Sequence, residues 1–391
     1  MTGSAMERDW QYLIDLGPRF MGQPAAAQAA DFVLARLAEA GYQAFPHGFA
    51  YEGWRLSGTP RLSLLAPVEE QVEAYPFLLS GSTTAAREGR IRGTLVYLGK
   101  YNVWGMYDWD KFAVVDPDGR TLAYVSGRPG GPAIPQVLSP GSSRLPHLIV
   151  GEADLARLHR WRGQGTEIRV EVESHTEYLP GERGINAVGR FPGSTPDQGP
   201  RVIVTAHFDT MYNTVGAYDN ASGTAVLLEL ARRLAERPPA CSVDFVGCAA
   251  EEWNLAGSTA YVQDLRANGG LDGVKAVVNL DGVGRGDELE VWSGPEPFEV
   301  LVRSILAPLT GEGQRPKLLY TFPPPPGSDH APFYAAGIPV CMLTFNDQQI
   351  LHRPEDRRHE RMWRNMNATA DLAEALVRAL CGSALKLEHV V

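Results

Sequence analysis

Four apolar runs of this sequence end in groups that can hold a cation or move a proton. VIVTA runs into His207, Phe208 and Asp209; SVDFVGCAA into Glu251 and Glu252; KAVVNL into Asp281; and VCMLTFNDQQIL into His352. Asp219 stands in GAYDNASG, at the mouth of a helix-like stretch. Two adjacent glutamates after a buried run repel each other and resist desolvation, so either they sit in water or a strong positive charge lies beside them. Taken singly, each feature is ordinary: a structural His, a solvated Glu pair, an Asp-Asn-Ala-Ser helix cap. Taken together, His207, Asp219, Glu252, Asp281 and His352 form a set of N/O donors suited to zinc. Five ligands are too many for one tetrahedral site. They serve two ions if one carboxylate bridges them at about 3.5–4 Å, the spacing of two-metal hydrolases. Glu251 is then free as a general base, taking a proton from an activated water and passing it to a leaving nitrogen. Asp209 is expected to accept the second ring N–H of His207.

The elements that must bring these groups together are legible in outline. From RVIVTAHFD onward, strand-like and helix-like stretches alternate: DNASGTAVLLELARRLAER, SVDFVGCAAEE, STAYVQDLRANGG, VKAVVNLDGVG, PEPFEVLVRSILAPLT, IPVCMLTF and WRNMNATADLAEALVRALCG. That alternation predicts an α/β fold with a mostly parallel central sheet flanked by helices. Ligands of such sheets bind outside the carboxyl ends of the strands, where all four runs deliver their groups. An N-terminal helix is expected in GQPAAAQAADFVLARLAEAGY, with Pro24 in its first turn, Gly41 at its stop and Ala30, Val33, Leu34 and Leu37 as its apolar stripe.

Between about residues 46 and 185 the texture changes to short β-like runs punctuated by Gly and Pro, with DPDGR as a turn signal and EADLARLHRWRGQG as a short helix. The expected organisation is 1–49 and 184–391 as one catalytic domain, interrupted by a β-rich module over 50–183. The chain has 391 residues and a net charge of −10, which argues against a nucleic-acid or anionic-membrane partner. None of Cys241, Cys248, Cys341 and Cys381 forms a CxxC pair, so no disulfide framework is expected and the compartment reads as reducing. MTGSAMERDWQYLIDLGPRF has no apolar stretch of signal-peptide length, and a cytoplasmic location is expected.

AHFDT, GAYDNASGTAVLLELAR, AAEEWNLAGS, VVNLDGVG, GSDHAPFYAAGIPV and LHRPEDRRHER together resemble the successive motifs of the di-zinc exopeptidases, the family of bacterial leucyl-type aminopeptidases and glutamate-carboxypeptidase-like enzymes. LGPRFMGQPAAAQAADFVLARLAEAGY resembles their opening segment. The resemblance implies that Asp219 bridges, that His207 and Asp281 complete one zinc, and that Glu252 and His352 complete the other. It implies Glu251 as the base and an inserted protease-associated-like domain over 50–183. Asn254 stands where the family has Gly, and Asn tolerates a left-handed turn. Two positions where relatives carry an oxyanion-stabilising tyrosine are here Pro325 and Leu351. Oxyanion stabilisation then falls to the metal, His330, Tyr320 or the inserted module.

The expected activity is hydrolysis of peptide or amide bonds by a co-catalytic di-zinc aminopeptidase, with cobalt or manganese able to substitute. A carboxypeptidase or N-acyl-amino-acid amidohydrolase needs a cation for the substrate carboxylate, for which Arg285 and Arg353 are the candidates. The resemblance also admits a single-zinc glutaminyl-cyclase-like transferase, or a non-catalytic binding protein of the same fold. The complete set of five ligands weighs against both.

Overall fold

The computed structural model describes residues 4–192, 200–309 and 316–382. The chain divides into two units, Met1–Tyr51 with Arg183–Val391, and Glu52–Glu182.

The first unit is built on a mixed sheet. Its strand order is Lys317–Thr321, Glu288–Gly294, Val340–Thr344, Val274–Leu280, Arg201–His207, Val243–Cys248 and then the end of Arg169–Phe191. The four central strands are parallel neighbours, as the alternation of elements predicts. Glu288–Gly294 and the end of Arg169–Phe191 pair antiparallel with this parallel core. Successive side chains of a strand face opposite ways. Ile203, Val277 and Val340 therefore pack against Tyr261, Val262 and Phe333, from the helices Ala256–Ala267 and His330–Ala335. The helices Ala221–Glu236, Glu360–Gly382 and Ala5–Asp15 pack together and cover the other face. The expected N-terminal helix runs Pro24–Glu39. Central strands buried on both faces explain why these runs read as near-continuous apolar stretches. Among the described residues, no helix is long and apolar enough to cross a membrane.

The second unit is β-rich. Ile91–Val103, Tyr107–Val115 and Thr121–Gly127 form an antiparallel meander, and His147–Val150 adds a parallel strand. The helix Glu152–Gly163 buries Leu155 and Leu158 in its core. DPDGR makes the expected turn: Asp116 Oδ1 accepts the N–H groups of Asp118 and Arg120 at 3.0 and 2.8 Å, and Gly119 supplies φ +80°.

One expectation is corrected. Cys241 and Cys381 form a disulfide, 140 residues apart in sequence. No local spacing could signal a bond between the entry to a strand and the end of the last helix. Cysteine usage therefore does not indicate a reducing compartment. Cys248 and Cys341 are buried free thiols.

Candidate metal centre

The strand Arg201–His207 carries His207 out at its carboxyl end. The ring Nδ1–H donates to the backbone carbonyl of Asp209 at 3.2 Å, while the Asp209 carboxylate is 3.6 Å away. The contact expected of the Asp209 side chain is therefore made by its main chain. With Nδ1 engaged there, Nε2 is the nitrogen directed at Asp219 Oδ1 (3.1 Å) and Asp281 Oδ1 (3.2 Å), and a bound metal would take the place of its proton. The Asp209 carboxylate is occupied elsewhere: it accepts the amide protons of Glu251 and Glu252 at 3.1 and 3.3 Å. Asp209 thus holds the Glu-Glu turn by its backbone.

That turn is sharp. Ala250, Asn254 and Leu255 are all left-handed, with φ of 56°, 58° and 57°. Of the three, only Asn254 is of a type that signals such a turn in sequence. Asn186 braces the turn, accepting from Ala249 N–H at 2.9 Å and donating to the Gly257 carbonyl at 2.8 Å. A Cβ on Gly257 would meet the Ala249 carbonyl at 2.1 Å, so this helix start admits only glycine.

Asp219 presents its two oxygens in different directions. Oδ1 faces His207, and Oδ2 lies 3.3 Å from His352 Nε2. His352 Nε2 is also 3.0 Å from Glu252 Oε2. Asn220, next in the chain, caps the helix by accepting from Gly223 N–H at 2.8 Å and donates to the Leu280 carbonyl at 2.9 Å. It thereby ties the Asp219 loop to the strand that ends in Asp281. Asp281 is oriented by a chain of hydrogen bonds from the core. Thr205 donates to Asn279 Oδ1 (2.7 Å), Asn279 Nδ2 to Ser328 Oγ (2.8 Å), and Ser328 to Asp281 Oδ2 (2.7 Å).

Two side chains that the sequence leaves unassigned support this frame. Asp356 is fully buried and accepts the N–H groups of Tyr218 and Asp219 at 2.7 and 3.0 Å. Burial pushes its carboxyl up to about 7 against those two bonds. Arg19 is fully buried too, donating to the carbonyls of Phe208 (2.6 Å), Val215 (2.7 Å) and Gly216 (3.0 Å). Its guanidinium spans the loop between His207 and Asp219, and burial brings it down to about 10. Asp356 lies inside LHRPEDRR and Arg19 inside LGPRF. Neither stands at a strand end, the signal that finds the others.

Ligand atoms of His207, Glu251 and Asp281 form one group within 4.8 Å of each other, and those of Asp219, Glu252 and His352 form a second. Burial raises the Glu251 carboxyl well above its ordinary range, His207 opposing and Glu252 and Asp281 adding to the rise. Burial likewise brings Glu252 to about 7. For Asp219 burial acts upward, but hydrogen bonds from His207 and His352 hold it low. Burial disfavours the His352 cation, yet the charges of Glu252 and Asp219 lift it to about 10. So many buried carboxylates need either shared protons or metal cations. The donor set fits zinc, and Glu252 Oε1 is buried without a hydrogen-bond donor.

The candidate substrate-binding residues are each engaged with groups of their own chain. His330 is fully buried and its Nε2–H donates to the Pro325 carbonyl at 2.8 Å. It is a core residue holding the proline-rich loop. Arg285 pairs with Asp347 and Arg353 with Glu355, both at 3.0 Å. Tyr320 packs under the Arg303 guanidinium on the edge strand, which two strands separate from Val274–Leu280.

Residues 186–377 match the model of peptidase family M28. Aminopeptidase YwaD of Bacillus subtilis (strain 168) is 30% identical over 196 residues, covering 45% of this chain and 40% of that protein. The chain thus spans less than half the length of that relative. A peptidase M28 precursor from Shewanella amazonensis superposes with a TM-score of 0.77 at 17% identity, over 98% of this chain and 94% of that one. BSAP, a zinc aminopeptidase from Bacillus subtilis, gives 0.70 at 20% identity, over 95% and 93%. At these identities the structural likeness is one of fold.

Proposed function

We propose that this chain, whose residues 186–377 match the model of peptidase family M28, is a co-catalytic di-zinc aminopeptidase releasing N-terminal residues from peptides. The observation that carries this reading is the division of the Asp219 carboxylate, Oδ1 toward His207 and Oδ2 toward His352. In this reading His207, Asp219 and Asp281 hold one zinc, and Asp219, Glu252 and His352 hold the other. When bound, the two ions supply the positive charge that acidifies a water and polarises a scissile carbonyl. Glu251 is left over from the ligand set yet within reach of His207 and Asp281. Its carboxylate takes the proton of the attacking water and returns it to the leaving nitrogen. Asp209 keeps Glu251 and Glu252 pointing to different tasks through their amides.

A free amine is the favoured anchor. Arg285 and Arg353, the candidate cations for a substrate carboxylate, already serve carboxylates of their own chain. The unit Glu52–Glu182 is assigned as a protease-associated-like insertion on its place in the chain and its β-rich texture. The test is Glu251→Gln assayed on aminoacyl-p-nitroanilides. Turnover falls by a factor of about a thousand while bound metal is unchanged; turnover at the wild-type rate removes Glu251 from the mechanism.

A further inference from the structure

An open cavity of about 360 Å³ lies between the helix Pro24–Glu39 and the strand segment that begins at Arg183. Its origin is in the sequence. PAAAQAAD is a strong helix former with small side chains, so the first turns of the helix do not fill the space beside the strand. Ala27 and Ala30 form the helix wall, Ile185 stands opposite at 42% exposed, and Phe208 and Ala249 make a buried floor. Two charged residues share this apolar lining: Asp31 on the helix and Arg183 on the strand. Both are exposed, and neither makes an ion pair or side-chain hydrogen bond, with each other or with any other described residue.

An unpaired carboxylate and an unpaired guanidinium on one apolar groove are the complement of a small molecule that carries an ammonium, a carboxylate and an apolar side chain. The volume is at the lower end of small-molecule pockets, which run from about 300 to 1,000 Å³. We propose that this groove binds a zwitterionic apolar amino acid, its carboxylate on Arg183 and its ammonium on Asp31. The site is distinct from the metal cluster but shares its backbone, since Phe208 follows His207 and Ala249 precedes Glu251 by two residues. The ligand class follows from the groove alone; only its supply, as a product released by the same protein, rests on the aminopeptidase reading.

The test uses the full chain with labelled methionine and isoleucine methyls, titrated with L-leucine and followed by NMR. Saturable shifts of the Met21 and Ile185 methyls are expected. Arg183→Gln weakens L-leucine and 4-methylpentanoate by at least about tenfold and leaves leucinamide unchanged. Asp31→Asn weakens L-leucine and leucinamide and leaves 4-methylpentanoate unchanged. Ala27→Trp, at an exposed helix position, fills the groove and removes the response; the two charge variants carry the test if that protein folds poorly. Silent methyls at Met21 and Ile185, or shifts with equal midpoints in wild type and both charge variants, overturn the proposal. Leucyl-p-nitroanilide turnover on the same samples reports separately on the peptidase reading. An active protein with a silent groove sinks only this proposal, and an inactive one with a responsive groove sinks only that reading.

Discussion

Asp356 accepts the backbone N–H of Asp219 at 3.0 Å, and through its other oxygen that of Tyr218 at 2.7 Å. A buried carboxylate four residues after His352 thus fixes the residue whose two oxygens face the two histidines. Removing it leaves two buried amides unpaired and the Asp219 loop free to rotate. Asp356→Asn keeps the shape but offers only one acceptor. Its zinc affinity should fall about 10- to 100-fold, the usual scale for groups that orient metal ligands. Asp356→Ala should in addition cost about 2–4 kcal/mol in stability, for two unsatisfied donors. Wild-type zinc affinity in both variants, measured by competition with a chromophoric chelator, contradicts this role.

Asp209 is a different case, because its side chain and its carbonyl do separate work. The carbonyl sets the His207 tautomer, which a side-chain change does not alter. The carboxylate holds the Glu251 and Glu252 amides. On the proposed role of Glu251, Asp209→Asn should therefore reduce kcat by about 10²-fold or more, because a displaced base would lose its alignment. Zinc binding should weaken less than in Asp356→Asn, since His207 stays oriented. A variant that loses metal first and keeps its turnover per bound metal would reverse the assignment.

His330 gives a prediction about acid stability. Burial brings its imidazole down to about 4, the hydrogen bond to the Pro325 carbonyl opposing that shift. The unfolded chain takes a proton on this residue below about pH 6.5. The folded chain does not take one until about pH 4. In that window the unfolded state binds more protons, so stability falls as pH falls. The loss approaches about 3 kcal/mol at pH 4, at about 1.4 kcal/mol per pH unit. Above about pH 6.5 this residue contributes no pH dependence. His330→Gln, which keeps a donor and does not titrate, should flatten the slope of urea-unfolding free energy between pH 6.5 and 4. Loss of metal on acidification is common to both proteins, so the difference between them reports His330. Parallel slopes contradict the assignment.

The cluster is legible in the sequence because the sheet advertises it. His207, Glu251, Glu252 and Asp281 each follow a run of buried apolar residues, and a parallel sheet puts the ends of such runs on one edge. Asp219, just before the helix Ala221–Glu236, and His352, in the loop beyond Val340–Thr344, are marked less directly. The supporting residues are hidden for a physical reason. Arg19, Asn186, Asn279 and Asp356 act through backbone amides and carbonyls or through another side chain, and a backbone partner leaves no mark in sequence spacing. His330 is a different case. Its position in GSDHAPF suggests chemistry, whereas its burial makes it a brace. The Cys241–Cys381 bond is invisible in sequence because it joins two distant elements that only the tertiary fold brings together. Strand Gln43–Ala66 escapes the pattern because its long course carries alternating exposed positions and Gly, Pro and Ser rather than an apolar run.

The most direct test of the metal centre is the zinc content of the purified chain, read together with turnover of leucyl-p-nitroanilide through chelation and zinc return. About two zinc ions per chain are expected, with turnover that disappears on chelation and recovery that follows the refilling of both sites. A chain that holds no metal, or one whose turnover is unchanged after complete chelation, contradicts the reading of His207, Asp219, Glu252, Asp281 and His352 as a metal centre.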